Sequence, residues 1–293
     1  MKTTPQPSAR YLVPALLACY LVWGSTYLAI KYALVSFPPF FQMGTRFLTA
    51  GVLLMAFMRL RGAPWPNLMH WRNALVVGSL MLAGGMGMVA VASQSIGSGL
   101  IATFIAVMPV VLTGWGLLWG KRPNRLEMAG MAVGMLGVLL LMRGASFTAS
   151  TGGLFAMAAS VTLWSLGSML QTTSLPLANG PMGFASEMLC GGAVLMLIAL
   201  ILGEQFAWPP QPLAAAAWLY LVVFGSLIAF SSYLYLLANA PPALASSYAF
   251  VNPLIALFLG VVLAGEVVTN TEWIASGIIL TGLLLIFSGK RRS

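Results

Sequence analysis

The sequence predicts an all-α polytopic membrane protein of ten transmembrane helices, arranged as two inverted-topology five-helix repeats. Three observations carry that prediction. The first is composition: 60% of the 293 residues are hydrophobic, only 6% are charged, and mean hydropathy is +0.94. A soluble domain carries about 25% charge, so this chain cannot coat a water-facing surface. Hydrocarbon offers no partner to an open sheet edge, so the spanning elements are helices. The second is segmentation into ten apolar runs, at 11–33, 40–59, 73–92, 97–118, 127–143, 153–173, 180–202, 213–237, 243–264 and 271–289. Most approach the roughly 20 residues that cross a bilayer. The third is internal repetition. At a shift of 141 residues Trp23 falls on Trp164, Leu34 on Leu175, Leu48 on Leu189, Gly51 on Gly192 and Gly62 on Gly203. The shift then drifts to 144 for Pro109 and Pro253, and to 145 for Gly120, Glu127 and Gly137 on Gly265, Glu272 and Gly282. Such offsets argue for a duplicated unit.

The elements follow in order. Residues 1–10 form a short cytoplasmic tail, 11–143 the first repeat, 153–289 the second, and 290–293 a basic tail. The first run lacks a cleavage-site pattern and reads as a retained span. Connections are short, and Trp65, Trp71, Trp208 and Trp218 lie near proposed interfaces as an aromatic belt requires. With the N-terminus inside, 11 of 14 basic residues fall on the cytoplasmic side; only Lys31, Arg46 and Arg143 do not. That bias satisfies the positive-inside rule and puts both termini in the cytoplasm. Five spans per half is an odd number, so the second half enters the membrane inverted. Glu204, Glu266 and Glu272 then lie in outer loops.

A formal charge of +9 suggests nucleic acid, but the basic residues sit beside helix ends and exclude it. Cys19 and Cys190 lie within apolar stretches and read as small buried side chains rather than a disulfide or metal pair. His70 is the single histidine, and no HExxH, CxxC or Walker pattern occurs. No metal, cofactor, catalytic group or direct ATP drive is expected.

What remains is a set of polar and aromatic residues at mid-depth. Trp23, Gly24, Ser25, Thr26 and Tyr27 place a large ring, a small backbone and two hydroxyls within one turn and a half of span one. They either line a cavity or pack helices. Trp164 is the second-half partner of Trp23. In span nine, Ser246, Ser247, Tyr248 and Asn252 precede Pro253, which removes the usual partner of the Ala249 carbonyl and kinks the helix. Pro109 keeps that kink in the first half without the amide. Arg46 and Glu187 occupy the same repeat position with opposite charge. Opposite topology places Arg46 toward the outer side and Glu187 toward the inner side, which disfavours a direct ion pair. Each is either a gate or coupling group, or a side chain snorkelling to the interface. The chain has no Asp, so Glu187 is the one acid able to relay a proton at depth.

The motifs WGSTY at 23–27, Arg46-Phe47, PPALASSYAFVNP at 241–253 and LAGE at 263–266 resemble the EamA family of drug/metabolite transporters, across 11–289. The resemblance implies a bacterial inner-membrane exporter of small metabolites with its cavity assembled from both halves. Relatives move amino acids, purine-like metabolites or amphiphilic compounds. One departure is that Gly265-Glu266 answers to Gly120-Lys121, so any glutamate role there is not symmetric. The expected function is a secondary exporter of neutral or zwitterionic solutes working by alternating access. Its expected partners are the solute and the bilayer, with no required protein; a coupling proton, exchange and facilitated diffusion stand as open alternatives. Broad efflux of amphiphilic drugs stands second, and a non-transporting scaffold or sensor is the alternative from another class.

Overall fold

The computed structural model describes residues 9–96, 101, 104–141, 150–206, 208–264 and 269–290. Every regular element among them is helical. Among the described residues, six helices are long and apolar enough to cross a membrane: α1 (Ala9–Ala33), α2 (Pro39–Leu60), α3 (Leu68–Ala92), α6 (Thr151–Gln171), α7 (Pro181–Ile201) and α8 (Pro212–Asn239). Further apolar helices are α4 (Met108–Leu118), α5 (Arg125–Leu141), α9 (Tyr248–Ala264) and α10 (Asn270–Lys290). Residues 1–8 and 291–293 of the tails, Arg143, Gly265, Glu266 and the side chain of Glu272 lie outside the described residues.

Local sequence sets the helix ends. α2, α7 and α8 each begin with proline in the first turn, where a missing N–H costs nothing. α2 and α7 end alike, on Gly62 and Gly203 at φ of 80° and 65°. Beyond these glycines, Ala63 N–H reaches back to the Met58 carbonyl at 3.0 Å, and Glu204 N–H to the Ala199 carbonyl at 2.9 Å. This is the Schellman closure, which needs a left-handed residue that glycine supplies without strain. α3 and α8 also share a defect: both turn π-helical midway, at Ser79–Gly87 and Leu221–Phe230. These stretches coincide within two residues at the shift of 141.

The expected interruption at Pro253 is displaced. α9 runs through Pro253 unbroken, and the chain instead opens at Ser246–Ser247, after a single turn at Pro242–Ala245. The serines make that position affordable in hydrocarbon. Ser246 Oγ donates to the Pro242 carbonyl and Ser247 Oγ to the Leu244 carbonyl, both at 2.7 Å. In the first half the break falls at Val107, and Pro109 sits in the first turn of α4 that follows.

Two helix pairs hold the halves together, and each obeys the repeat. In α2–α7, a Cβ on Gly51 would come within 2.9 Å of Leu189, and one on Gly192 within 2.9 Å of Leu48 N. In α5–α10, a Cβ on Gly137 would meet Ile279 N at 2.9 Å, and one on Gly282 would meet Gly134 N at 2.5 Å. Each contact is matched by its repeat-related counterpart, as across a two-fold axis. Small residues let the backbones close, which is how helices associate where lipid supplies no hydrophobic drive. Replacing Gly282 with alanine therefore forces α5 and α10 apart and is expected to cost about 1–3 kcal/mol. Thermal unfolding in detergent would register this as a lower midpoint, with no comparable loss for Gly277→Ala, where the added Cβ meets open space.

Candidate functional site

The junction of the two halves is filled with aromatic rings. Trp23 of α1 lies 5.6 Å from Trp164 of α6 at an interplanar angle of 77°. Tyr248 of α9 packs on Trp23 at 4.6 Å, and Tyr233 of α8 lies 5.2 Å from Trp23 and 5.3 Å from Trp164. Edge-on geometry suits ring quadrupoles. The polar edges are paired: Trp164 Nε1 donates to Tyr233 OH at 3.1 Å, which also bonds Ser168 Oγ at 2.9 Å. Trp23 Nε1 donates to the Gly225 carbonyl at 3.3 Å, within the π-helical part of α8. Gly24 performs the packing its size suggests, since a Cβ there would stand 2.6 Å from Ile255.

A cavity of about 40 Å³ adjoins these rings, walled by Trp23, Thr26, Tyr27, Trp164 and Tyr248 together with Met86, Val89, Ile105, Met108 and Ser160. Five of the eight residues expected from the sequence thus meet at one place. Asn252 stands one bond away, its Nδ2 donating to Tyr27 OH at 3.1 Å while its buried Oδ1 has no partner among the described residues. Ser247 is not at the cavity; it bonds Tyr20 OH at 2.7 Å. Ser25 is also elsewhere, donating to the Val22 carbonyl at 2.7 Å and lying 2.6 Å from Tyr220 OH. Ser160 was legible as the hydroxyl one turn before Trp164, and Met86 by its place in a glycine cluster. Tyr233 carried no such signal.

Arg46 and Glu187 are 1% and 0% exposed, so the snorkelling alternative fails for both. They form no ion pair with each other. Arg46 donates through Nε to Ser226 Oγ at 2.7 Å and through Nη1 to Met43 Sδ at 3.6 Å, with its guanidinium carbon 4.7 Å from the Phe47 ring centre. It borders the cavity wall, because a Cβ on Gly225 would touch both Arg46 Nη2, at 2.8 Å, and the Thr26 methyl, at 3.4 Å. Neither carboxylate oxygen of Glu187 has a hydrogen-bond partner among the described residues. Symmetry explains the difference: the position of Ser226 is occupied in the first half by Gly85, which has no side chain to offer. A buried unpaired charge costs several kcal/mol and persists only where something else repays it.

A larger opening of about 740 Å³ lies at the C-terminal end of α8, lined by Lys121, Gln171, Thr172, Leu177, Phe184 and Tyr235 among others. Partial burial draws the Lys121 ammonium below the ordinary lysine range, and its Nζ donates to Thr172 Oγ1 at 3.1 Å. α8 contributes to both regions, Tyr233 to the aromatic cluster and Leu234 and Tyr235 to this vestibule. Among the described residues no group of three or more His, Cys, Asp or Glu side chains is placed to hold a metal ion.

Apolar crossing helices, paired halves and a ring-walled cavity between them define a multi-pass membrane protein of transporter type. The model of the EamA-like transporter family matches residues 11–143 and 151–288, and the chain belongs to that family. The Escherichia coli (strain K12) inner membrane transporter YedA, itself uncharacterized, is 40% identical over 285 residues, spanning 96% of this chain and 93% of that protein. Protein PecM of Dickeya dadantii is 25% identical over 92% of each chain. One solved crystal structure superposes with a TM-score of 0.78 at 21% identity, over 97% of this chain and 99% of the other, which speaks for the fold. The family and YedA are both named as transporters.

Removing the Tyr233 hydroxyl strands the Trp164 indole N–H in an apolar interior. Tyr233→Phe is expected to lower unfolding stability by about 1–3 kcal/mol. Ser168→Ala removes only the second partner and is expected to cost less in the same detergent melt.

Proposed function

We propose that this protein is a secondary transporter exporting small neutral or zwitterionic metabolites, amino-acid-like solutes among them, by alternating access. The carrying observation is the cavity between the halves, walled by rings from both, with an unpaired base beside it and an unpaired acid on the facing repeat. The 40 Å³ present holds a few waters, whereas small-molecule sites run to about 300–1,000 Å³. Solute entry thus requires the halves to part, and binding shifts the balance between conformations. In this reading all ten apolar runs cross the bilayer, 11–143 and 153–289 are the inverted units, and both termini face the cytoplasm.

The residues then take distinct roles. Trp23, Trp164 and Tyr248 hold an apolar or flat body, and Thr26, Tyr27 and the free Asn252 Oδ1 engage its polar groups. Arg46 attracts a carboxylate. Glu187 takes either the solute ammonium or a coupling proton. The largely apolar lining favours broad efflux of amphiphilic compounds as the second reading.

Flux in proteoliposomes tests the proposal, using a panel of isotopically labelled amino acids, nucleobases and amphiphiles, with and without a pH gradient. Saturable flux of one class is expected, reduced about tenfold by Asn252→Ala and untouched by Leu200→Ala on the exposed face of α7. If Glu187 carries the proton, Glu187→Gln abolishes the gradient dependence while leaving exchange. Binding that saturates at one solute per protein, with no turnover, would instead establish the scaffold or sensor reading.

A further inference from the structure

Helix α2 begins without a cap of its own. Pro38 occupies the N-cap position and has no side-chain acceptor, and Pro39 follows it. The first-turn N–H groups of Phe40 and Phe41 are therefore orphans. Glu204, more than 160 residues away, supplies what is missing: Oε1 accepts from Phe40 N at 3.2 Å and Oε2 from Phe41 N at 2.7 Å. A carboxylate at a helix N-terminus is also favoured by the helix dipole. The surrounding contacts reinforce the junction. Phe206 stacks on Phe41 at 4.5 Å, and Gln211 N donates to Ser36 Oγ at 3.0 Å. The α7–α8 loop of the second half is thereby fastened to the α1–α2 hairpin of the first.

The repeat-related corner at the opposite membrane face is built otherwise. Ala63 stands at the position of Glu204, beyond the same glycine closure, and cannot accept a hydrogen bond through its side chain. α7 begins on Gly180 with no side-chain cap, and the corner is packed by Met55, Met182, Ala185 and Trp71. Gly180 borders the 740 Å³ vestibule. One corner is held by a bidentate carboxylate on a helix N-terminus; its counterpart has no such cap, only apolar packing and one amide bond, Asn73 Nδ2 to the Pro176 carbonyl at 2.9 Å.

From this asymmetry we infer that Glu204 is the latch of the outer gate. Its two bonds hold the halves together on the outer side, and their release admits the outward-open state. The inference rests on the alternating-access reading above. It assigns Glu204 a positioning role between the halves, with no contact to solute.

Cysteine labelling tests it without any substrate. The reporter is Ser160→Cys, at the cavity wall, in a Cys19→Ala, Cys190→Ala background. A charged, membrane-impermeant thiol reagent is applied to one face or the other of oriented vesicles. The parent is expected to label mainly from the face of Lys121. Glu204→Ala should raise labelling from the opposite face about tenfold or more. Glu204→Gln retains one acceptor and should fall between. Phe206→Ala keeps the carboxylate and should change less than either. Folded Glu204→Ala and Glu204→Gln proteins that label from the outer face no faster than the parent would overturn the latch. Should the alanine variant fail to fold, the glutamine variant decides alone. Labelling that shifts as expected in a protein showing no solute flux would retain the latch and remove the transport reading.

Discussion

The close approach of glycine-lined helices is the constraint on which the rest of the molecule depends. Inside a bilayer lipid tails solvate leucine as well as a neighbouring helix does, so association must come from contact distance and buried polar bonds. Gly51 and Gly192, and again Gly137 and Gly282, let backbones meet where any side chain would intrude. Both pairs join one half to the other about the same two-fold relation. With those seams fixed, α1, α6, α8 and α9 are brought around a common centre, and Trp23, Trp164, Tyr233 and Tyr248 have nowhere to go but against one another.

The second organising fact is that the symmetry of the backbone is not kept by the side chains. The two halves share a π-helical bend, a glycine closure after the second helix, and a tryptophan in the first. They differ where chemistry is concentrated: Ser226 against Gly85, Arg46 against Glu187, Glu204 against Ala63. Substituting one side chain within a duplicated frame makes the two membrane faces inequivalent without altering the helices.

Much of this was legible in the sequence, for stated physical reasons. Apolar runs mark spanning helices because hydrocarbon permits little else, and the duplication survives in residues whose loss breaks packing, chiefly tryptophan and glycine. Helix rotation was not legible, so Ser25 and Thr26 looked equivalent until one bonded Tyr220 and the other faced the cavity. The break before α9 was assigned to Pro253 because proline removes a donor. The serine hydroxyls that stabilise an earlier opening act through contacts that composition does not reveal. Within SSYLYLL nothing distinguishes Tyr233 from Tyr235, because the residue types are the same and only helix rotation separates them. Glu204 read as an ordinary loop acid because its acceptors serve a helix far away in the chain.

The cluster of indoles and phenols has an optical consequence. Trp23 and Trp164 lie nearly perpendicular and almost in contact, with Tyr233 touching both. Transition dipoles so close and so fixed couple strongly. The near-ultraviolet spectrum of the protein therefore carries a chiral signature of the junction itself. Any motion that widens the space between the halves must separate these rings and erase part of that signature, so the molecule contains its own chromophoric gauge of opening.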